Sequence, residues 1–287
     1  MIPASFGYSA PRTLPEALQL LAQHGEDAKI LAGGHSLLPM MKLRFAEPAH
    51  LVDLNRVPEL KGIREEGGLI KIGAMTTEST LIASTLLQQK LPLLAEAARQ
   101  IADPQVRNRG TIGGDIAHGD PANDHPAIAL ALDAQFVLAG PGGERSVAAS
   151  QFFHGTFMTE LKAGEVLKEI QIKPFAPNTG YAYCKLKRKT GDFATAAAAV
   201  VMNISAGNVA SVRIALTNLA PTALRVGAAE AALIGKPLTE AAIDAAASAA
   251  MSACQPAEDL RGDVEYKTAM AGEMVRRALR LAASRCR

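Results

Sequence analysis

Apolar and polar residues recur with two different periods along this chain, and the changes of period predict its elements. Between residues 14 and 22 the apolar residues recur every three or four positions, which predicts a helix with one buried face. The preceding Thr13-Leu-Pro-Glu has the form of a capping box, and Gly25 ends the pattern. Short apolar runs at 29–32 and 50–54 predict two strands after the helix. The chain therefore opens with a small α/β unit.

The middle of the chain mixes strands with helices. Strand patterns occur in a hairpin at 63–74 and again at 135–139 and 166–172, and helical patterns occur at 77–87, 91–102 and 125–134. The segment 104–126 is rich in Gly, Asp, Asn and Pro and shows little apolar periodicity, which predicts a long loop. Long loops within compact domains are usually functional, so we expect this one to contribute to a site.

After a linker at 174–179 the pattern changes again. Three strands are predicted at 181–187, 195–204 and 209–218, with Gly207-Asn208 joining the last two. Alanine-rich helices follow at 223–253 and 265–284. This order predicts a three-stranded antiparallel sheet with a helical bundle, so the fold class is α+β.

Composition narrows the classes of function. The 287 residues are 48% hydrophobic, enough for a large core and two domains. Thirty basic against 28 acidic residues give a net charge of +2, so no nucleic acid is expected as a partner. The three cysteines form no Cys-x-x-Cys, which argues against a disulfide framework, a zinc finger or an iron–sulfur cluster in this chain. No signal-peptide pattern is visible, and we expect a cytoplasmic protein.

Two glycine pairs are the most informative motifs. One is Ala32-Gly-Gly-His-Ser36 and the other is Thr111-Ile-Gly-Gly-Asp115. Adjacent glycines allow backbone to lie directly against a ligand, and successive free N–H groups bind anions. Two such loops closing from opposite sides would grip a pyrophosphate, so a dinucleotide is the first ligand to consider; the alternative is two ordinary tight turns. The Rossmann and P-loop glycine patterns are absent, so the turn N–H groups would have to hold it.

Two further clusters of polar residues each allow two interpretations. His118-Gly-Asp120-Pro-Ala-Asn-Asp124-His125 could hold a divalent metal, which makes a stand-alone metallohydrolase the alternative function. Asp and Asn in such a loop also cap turns for purely local reasons. Lys185, Lys187 and Lys189 share one strand face, which is either solvated or placed to contact an anionic cofactor.

The two glycine motifs, read over 30–39 and 109–117, together resemble the flavoprotein subunits of the molybdenum hydroxylases. The resemblance covers essentially the whole chain and implies a vanillyl-alcohol-oxidase-type FAD-binding fold. It implies an FAD-binding domain at 1–177, built from two α/β subdomains of about 1–55 and 56–177. A C-terminal α+β domain at 178–287 would follow.

The resemblance also implies FAD between the two N-terminal subdomains, with the pyrophosphate in the glycine loops. No residue of this chain would be catalytic and none would bind metal. The cofactor-binding residues it implies are Ala32, Gly33, Gly34, His35, Ser36, Leu37, Ile101, Thr111, Ile112, Gly113, Gly114, Asp115, Asp124, Leu167 and Lys187. Asp115 replaces the Asn of many relatives, and a carboxylate beside a pyrophosphate would be unfavourable, so we expect its hydrogen bond to lie elsewhere on the flavin or in the loop.

As partners, the resemblance implies a large molybdenum subunit and a small subunit with two [2Fe-2S] clusters. The complex would be a dimer of heterotrimers, that is, a heterohexamer. Electrons would pass from substrate oxidation at molybdenum through the clusters to FAD and then to an acceptor such as a quinone. The expected location is the cytoplasm, with the inner face of the cytoplasmic membrane as a second option.

Overall fold

The first sheet is small and parallel. The computed structural model describes residues 2–286. The strands lie in the order β1-β3-β2, and both pairs are parallel. The Thr13 hydroxyl caps the helix by accepting from the Glu16 N–H, as the capping box predicts. The α/β start is present, with an additional strand and a short helix. The elements are β1 (Gly7–Ser9), α1 (Leu14–His24), β2 (Ala28–Leu31), α2 (Leu37–Lys42) and β3 (His50–Asp53).

A five-stranded antiparallel sheet forms the centre of the second region, in the order β4-β5-β10-β6-β7. One face of the sheet buries Ile70, Phe136 and Ile170 against the helices, and this is the largest hydrophobic core. The elements are β4 (Ile63–Glu66), β5 (Leu69–Gly73), α3 (Glu78–Ala83), α4 (Thr85–Lys90), α5 (Pro92–Ala98), α6 (Pro104–Arg107), α7 (Ile112–His118), α8 (Asp124–Ala131), β6 (Gln135–Gly140), β7 (Gly143–Ala148), β8 (Phe153–Gly155), β9 (Met158–Thr159) and β10 (Val166–Ile172).

The prediction of a long loop at 104–126 is wrong. Three short helices, α6, α7 and the start of α8, occupy most of it. Side chains that accept from backbone N–H groups begin two of them: Asp103 caps α6 and Thr111 caps α7. Gly and Asp have low helix propensity, and each helix is too short to show a period, so the pattern indicated a loop.

The C-terminal region has four antiparallel strands in the order β11-β12-β13-β14. The three long strands are as predicted, and the short edge strand β14 is an addition. The single helix predicted at 223–253 is instead β14 followed by two helices, since Gly235 and Pro237 separate them. The elements are β11 (Gly180–Leu186), β12 (Ala196–Ser205), β13 (Asn208–Thr217), β14 (Leu224–Arg225), α9 (Gly227–Leu233), α10 (Glu240–Ala253) and α11 (Val264–Arg285).

The helices α9, α10 and α11 bury one face of this sheet in a second core, which includes Val200, Ile214 and Val275. The other face of the sheet packs against α5 and α8 of the second region. Tyr183 of β11 belongs to the main core and lies at this boundary. Within residues 2–286, no helix has both the length and the apolar character needed to cross a membrane.

Candidate cofactor site

The first glycine loop, residues 32–36, leaves consecutive backbone donors without a protein partner. No acceptor within residues 2–286 receives a hydrogen bond from the N–H groups of Gly33, Gly34, His35, Ser36 or Leu37. Gly34 has a φ of +77°, in the left-handed region, and the chain enters α2 directly afterwards. The loop is partly shielded from solvent. A row of such N–H groups can bind an anion by donating to its several oxygens.

The second glycine pair lies in the first turn of α7 and is not a free anion-binding turn. The Gly113 N–H donates to the Ala74 carbonyl at 2.8 Å, and the Gly114 N–H donates to the Thr111 hydroxyl at 3.1 Å. Ile112 likewise donates to the Thr76 carbonyl at 3.1 Å. The expectation that two opposed sets of free N–H groups grip one anion is therefore wrong, because the Ala74 and Thr76 carbonyls and the Thr111 hydroxyl accept the N–H groups of residues 112–114.

The second pair instead allows close packing of backbone. A Cβ at Gly113 would lie 2.3 Å from the Ala74 Cβ, so no side chain fits there. A Cβ at Gly33 would lie 2.5 Å from the Arg109 carbonyl oxygen, and one at Gly114 would lie 3.3 Å from the Ala32 Cβ. The two glycine motifs are therefore in direct contact with each other.

Asp115 directs its carboxylate towards α8. Its Oδ2 accepts from the His125 N–H at 3.2 Å, and its own carbonyl accepts from the Asn123 amide at 2.8 Å. Burial raises the pKa of Asp115 to about 7, and the nearby carboxylates of Glu78 and Asp124 add to the increase. The carboxylate thus has a hydrogen-bond partner on α8.

His125 and Glu78 form a buried pair behind this carboxylate. The His125 Nε2 lies 2.9 Å from both carboxylate oxygens of Glu78, and both side chains are almost fully buried. Burial alone would lower the pKa of His125, but the Glu78 carboxylate outweighs it and raises that pKa to about 9. The His125 Nδ1 has no hydrogen-bond partner within residues 2–286.

Asp124 connects the second region to the C-terminal sheet. It accepts from the Lys185 ammonium at 2.7 Å and from the Tyr183 hydroxyl. Both strand residues are buried at the boundary, so one carboxylate is held by two donors from β11. Burial, and then the Asp124 charge, raise the pKa of Tyr183 well above its usual value.

The four side chains of the alternative metal motif do not converge. His118 packs against Phe157 with ring centroids 4.9 Å apart, and Asp120 accepts from the Ala122 N–H. Asp124 and His125 are engaged by Lys185 and Glu78. No group of three or more His, Cys, Asp or Glu residues within the described chain could hold a metal ion. The metallohydrolase alternative therefore has no site in the motif on which it depended.

Ile101 and Lys187 meet at the segment that follows α5. Lys187 donates to the Gln100 carbonyl at 3.1 Å, and Arg107 donates to the Ile101 carbonyl at 2.9 Å. Leu167 lies elsewhere: it is buried in the main core on β10, which packs against α7. The implied site residues thus form one group at the two glycine motifs and a second around Gln100, and residues 101–110 connect them.

Sequence reasoning missed Glu78, Arg107 and Tyr183. Glu78 and Arg107 lie in predicted helix and loop without a distinguishing motif, and Tyr183 fits the apolar face of its strand. Lys185 was recognised only as a member of the basic strand face. The single available signal was its spacing of two from Lys187, which places both on one face of the strand predicted at 181–187. In the structure Lys187 directly follows β11.

Comparisons with known proteins identify the family of this chain. The family described as the FAD binding domain in molybdopterin dehydrogenase matches residues 4–175. The family described as the CO dehydrogenase flavoprotein C-terminal domain matches residues 181–282. The chain therefore belongs to the FAD-binding flavoprotein family of molybdopterin dehydrogenases, which confirms the resemblance inferred from the glycine motifs.

Within that family the chain is similar to medium chains of carbon monoxide dehydrogenase. It is 63% identical to that of Hydrogenophaga pseudoflava and 50% identical to that of Afipia carboxidovorans, covering 100% of each chain. A solved structure of the Hydrogenophaga pseudoflava enzyme lacking the Mo-pyranopterin moiety superposes with a TM-score of 0.99, 66% identity and full coverage of both chains. The two glycine motifs most resemble this medium subunit, and the comparisons confirm that likeness and the fold class.

Proposed function

We propose that this chain is the FAD-carrying electron-transfer subunit of an aerobic carbon monoxide dehydrogenase. A partner subunit would oxidise carbon monoxide with water to carbon dioxide, releasing two protons and two electrons. The electrons would pass through [2Fe-2S] clusters to FAD in this chain and then to an acceptor such as a quinone. The likeness to the two medium chains over their full length supports this substrate over others in the family.

The observation that carries the proposal is the row of five N–H groups at Gly33–Leu37, which have no acceptor among the described residues. Backbone donors left unpaired in a partly shielded loop carry a cost of about 1–3 kcal/mol each when buried, so a bound acceptor would stabilise the loop. A pyrophosphate offers several charged oxygens in a compact group. The residues present therefore fit the phosphate part of FAD.

Bound FAD would accept electrons one at a time from the clusters and deliver two to the acceptor. The chain itself supplies position and charge. The first glycine loop binds the pyrophosphate, and α7 supports that loop through the contact between Gly114 and Ala32. The Asp115 carboxylate accepts from the His125 N–H of α8, so it is directed at that helix and not at the first glycine loop. No side chain here acts as an acid or base on the substrate.

We propose the same binding residues that the resemblance implies, in two groups. Residues 32–37 and 111–115 would lie at the pyrophosphate. Ile101, Asp124 and Lys187 would lie towards the rest of the cofactor. Leu167 is buried in the core on β10, which packs against α7, so it would support that helix from beneath.

The proposed assembly has three kinds of subunit. The large subunit would hold the molybdenum cofactor, and the small subunit would hold the clusters, since this chain offers only three cysteines, none near another in sequence. We propose a dimer of heterotrimers in the cytoplasm, associated with the inner face of the cytoplasmic membrane when it delivers electrons to quinone.

Flavin retention by two glycine variants tests the binding loop. Gly33→Val places a side chain against the Arg109 carbonyl, where a Cβ alone would lie 2.5 Å away, and so displaces the loop. We expect the purified variant to lose its flavin absorbance while its circular dichroism is retained. Gly142→Ala is the matched control, because a Cβ there meets nothing within 4 Å and its φ is not positive.

The control should keep about one FAD per chain, released on denaturation. Full flavin occupancy in Gly33→Val would show that the first glycine loop does not bind the cofactor. A colourless wild-type chain carrying stoichiometric zinc would refute the proposed function as a whole.

A further inference from the structure

Three cationic side chains converge on one short stretch of backbone at the boundary with the C-terminal sheet. We call Arg107, Lys185 and Lys187 the Gln100 cation cluster. Lys185 and Lys187 lie 3.5 and 3.1 Å from the Gln100 carbonyl oxygen. Arg107 Nη1 donates to the next two carbonyls, those of Ile101 and Ala102, at 2.9 and 3.2 Å.

The backbone of this stretch is held in an unusual conformation. Ala102 has a φ of +45°, in the left-handed region, which costs an alanine of the order of 1 kcal/mol or more. The conformation turns two successive carbonyls to the same guanidinium. The two carbonyls therefore both accept from Arg107, and the surrounding structure stabilises the strained backbone.

Most of this charge has no carboxylate partner. Lys185 forms a salt bridge with Asp124, but neither Arg107 nor Lys187 forms one with any carboxylate in residues 2–286. The nearby Asp103 is engaged in capping α6. Burial lowers the pKa of Lys187, and the charges of Lys185 and Arg107 lower it further against the opposing effect of Asp124, so positive charge exceeds negative charge in the cluster.

Spare donors remain on both unpaired cations. Lys187 uses one of its three N–H donors on Gln100, and Arg107 uses only its Nη1 nitrogen on the carbonyls. The pyrophosphate would be accommodated at the other end of residues 101–110, where Gly110 meets Gly33. The cluster thus offers charge to a different part of the cofactor.

We propose that the Gln100 cation cluster binds the negative charge that the flavin ring gains on reduction, and thereby favours electron acceptance by this subunit. Two electrons and one proton added to the neutral oxidised ring leave one net negative charge. A partly buried site with surplus positive charge stabilises that anion more than the neutral ring, because Coulomb interactions are stronger away from bulk water. This inference rests on the proposed function.

The midpoint potential of the flavin tests the inference. Lys187→Gln removes the charge but can still donate to the Gln100 carbonyl, and Lys187→Arg keeps the charge. Lys189→Gln is the control, because Lys189 is exposed and forms no salt bridge within the part of the chain that the structure describes. The full-length chain with bound FAD is reduced in equilibrium with a reference dye, and binding of oxidised FAD and of ADP is measured in parallel.

We expect Lys187→Gln to reduce the preference for reduced over oxidised FAD at least tenfold, which is a potential lower by about 30 mV for a two-electron couple. Lys187→Arg and Lys189→Gln should leave the potential unchanged, and ADP binding should be unaffected. An unchanged potential in Lys187→Gln would overturn the inference.

If Lys187→Gln releases FAD, Arg107→Gln is measured in the same way. Loss of oxidised FAD from both variants would show that the cluster binds the oxidised cofactor, which also overturns the inference. Equal weakening of FAD and ADP would assign the cluster to the phosphates, with the same consequence. A wild-type chain that binds no flavin would refute the proposed function itself.

Discussion

Replacing Asp115 by Asn is expected to stabilise the flavin-free protein at alkaline pH and not at acid pH. Asp115 is held against the N–H of His125, and burial raises its pKa from 3.8 to about 7. A carboxyl group whose pKa is higher in the folded state stabilises the fold only while it is protonated. Its contribution is present below pH 3.8 and is lost as the pH rises through about 7.

The shift sets the size of the effect. A difference of about three pKa units corresponds to roughly 4 kcal/mol, at 1.36 kcal/mol per unit. Because Asp115 is only partly shielded from solvent, screening reduces the expected gain to about half, roughly 2 kcal/mol at pH 8. The Asn side-chain oxygen can still accept from the His125 N–H, so little is lost at low pH.

The assay is thermal unfolding of the full-length chain, stripped of FAD, between pH 4 and about 8. A gain of about 2 kcal/mol corresponds to a Tm roughly 4 °C higher for a chain of this size. Asp27→Asn is the control, because Asp27 is exposed and its side chain forms no hydrogen bond within the described chain. A variant that is less stable than wild type at pH 8, or whose advantage does not grow with pH, would refute the reasoning.

Two further predictions concern buried pairs. Lys185→Met leaves the Asp124 carboxylate buried with only Tyr183 as a side-chain donor, so we expect a loss of about 3 kcal/mol in urea unfolding. The double variant with Asp124→Asn should lose less, and an equal or larger loss would contradict the account. Glu78→Gln removes the charge that raises the pKa of His125 to about 9. The destabilisation should be greatest below pH 6.5 and should shrink as the pH rises through about 9, and a loss independent of pH in thermal unfolding would exclude this role.

The sequence predicted those parts of the fold in which period and length agree. The helix α1 has a capping box, an apolar stripe and a terminal glycine, and the strands β12 and β13 are ten residues each with a clear turn between them. The helices α6 and α7 were missed because four to seven residues are too few to show a period. Their existence depends on caps and on packing against Ala74, which no local pattern reveals.

The candidate site was predictable where backbone geometry requires glycine. The contact between Gly33 and residues 109–110 leaves no room for a side chain, so the structure requires glycine at this position of the motif. The roles of the side chains were harder to predict from the sequence. Asp115 could be recognised as ill suited to a phosphate, but its partner His125 is brought to it by the start of α8. Arg107 and Lys187 donate to adjacent carbonyls because β11 packs beside α5. The two residues are far apart in sequence, so no local pattern predicts this arrangement.

The most direct test is the anaerobic visible spectrum of the complex assembled on this chain, recorded before and after addition of carbon monoxide. The account predicts a blue flavin absorbance band that belongs to FAD bound in this subunit and that is lost when carbon monoxide is added. The same complex assembled with Gly33→Val should lack the flavin band. A complex without flavin, or a flavin band that carbon monoxide leaves unchanged, would contradict the central claim.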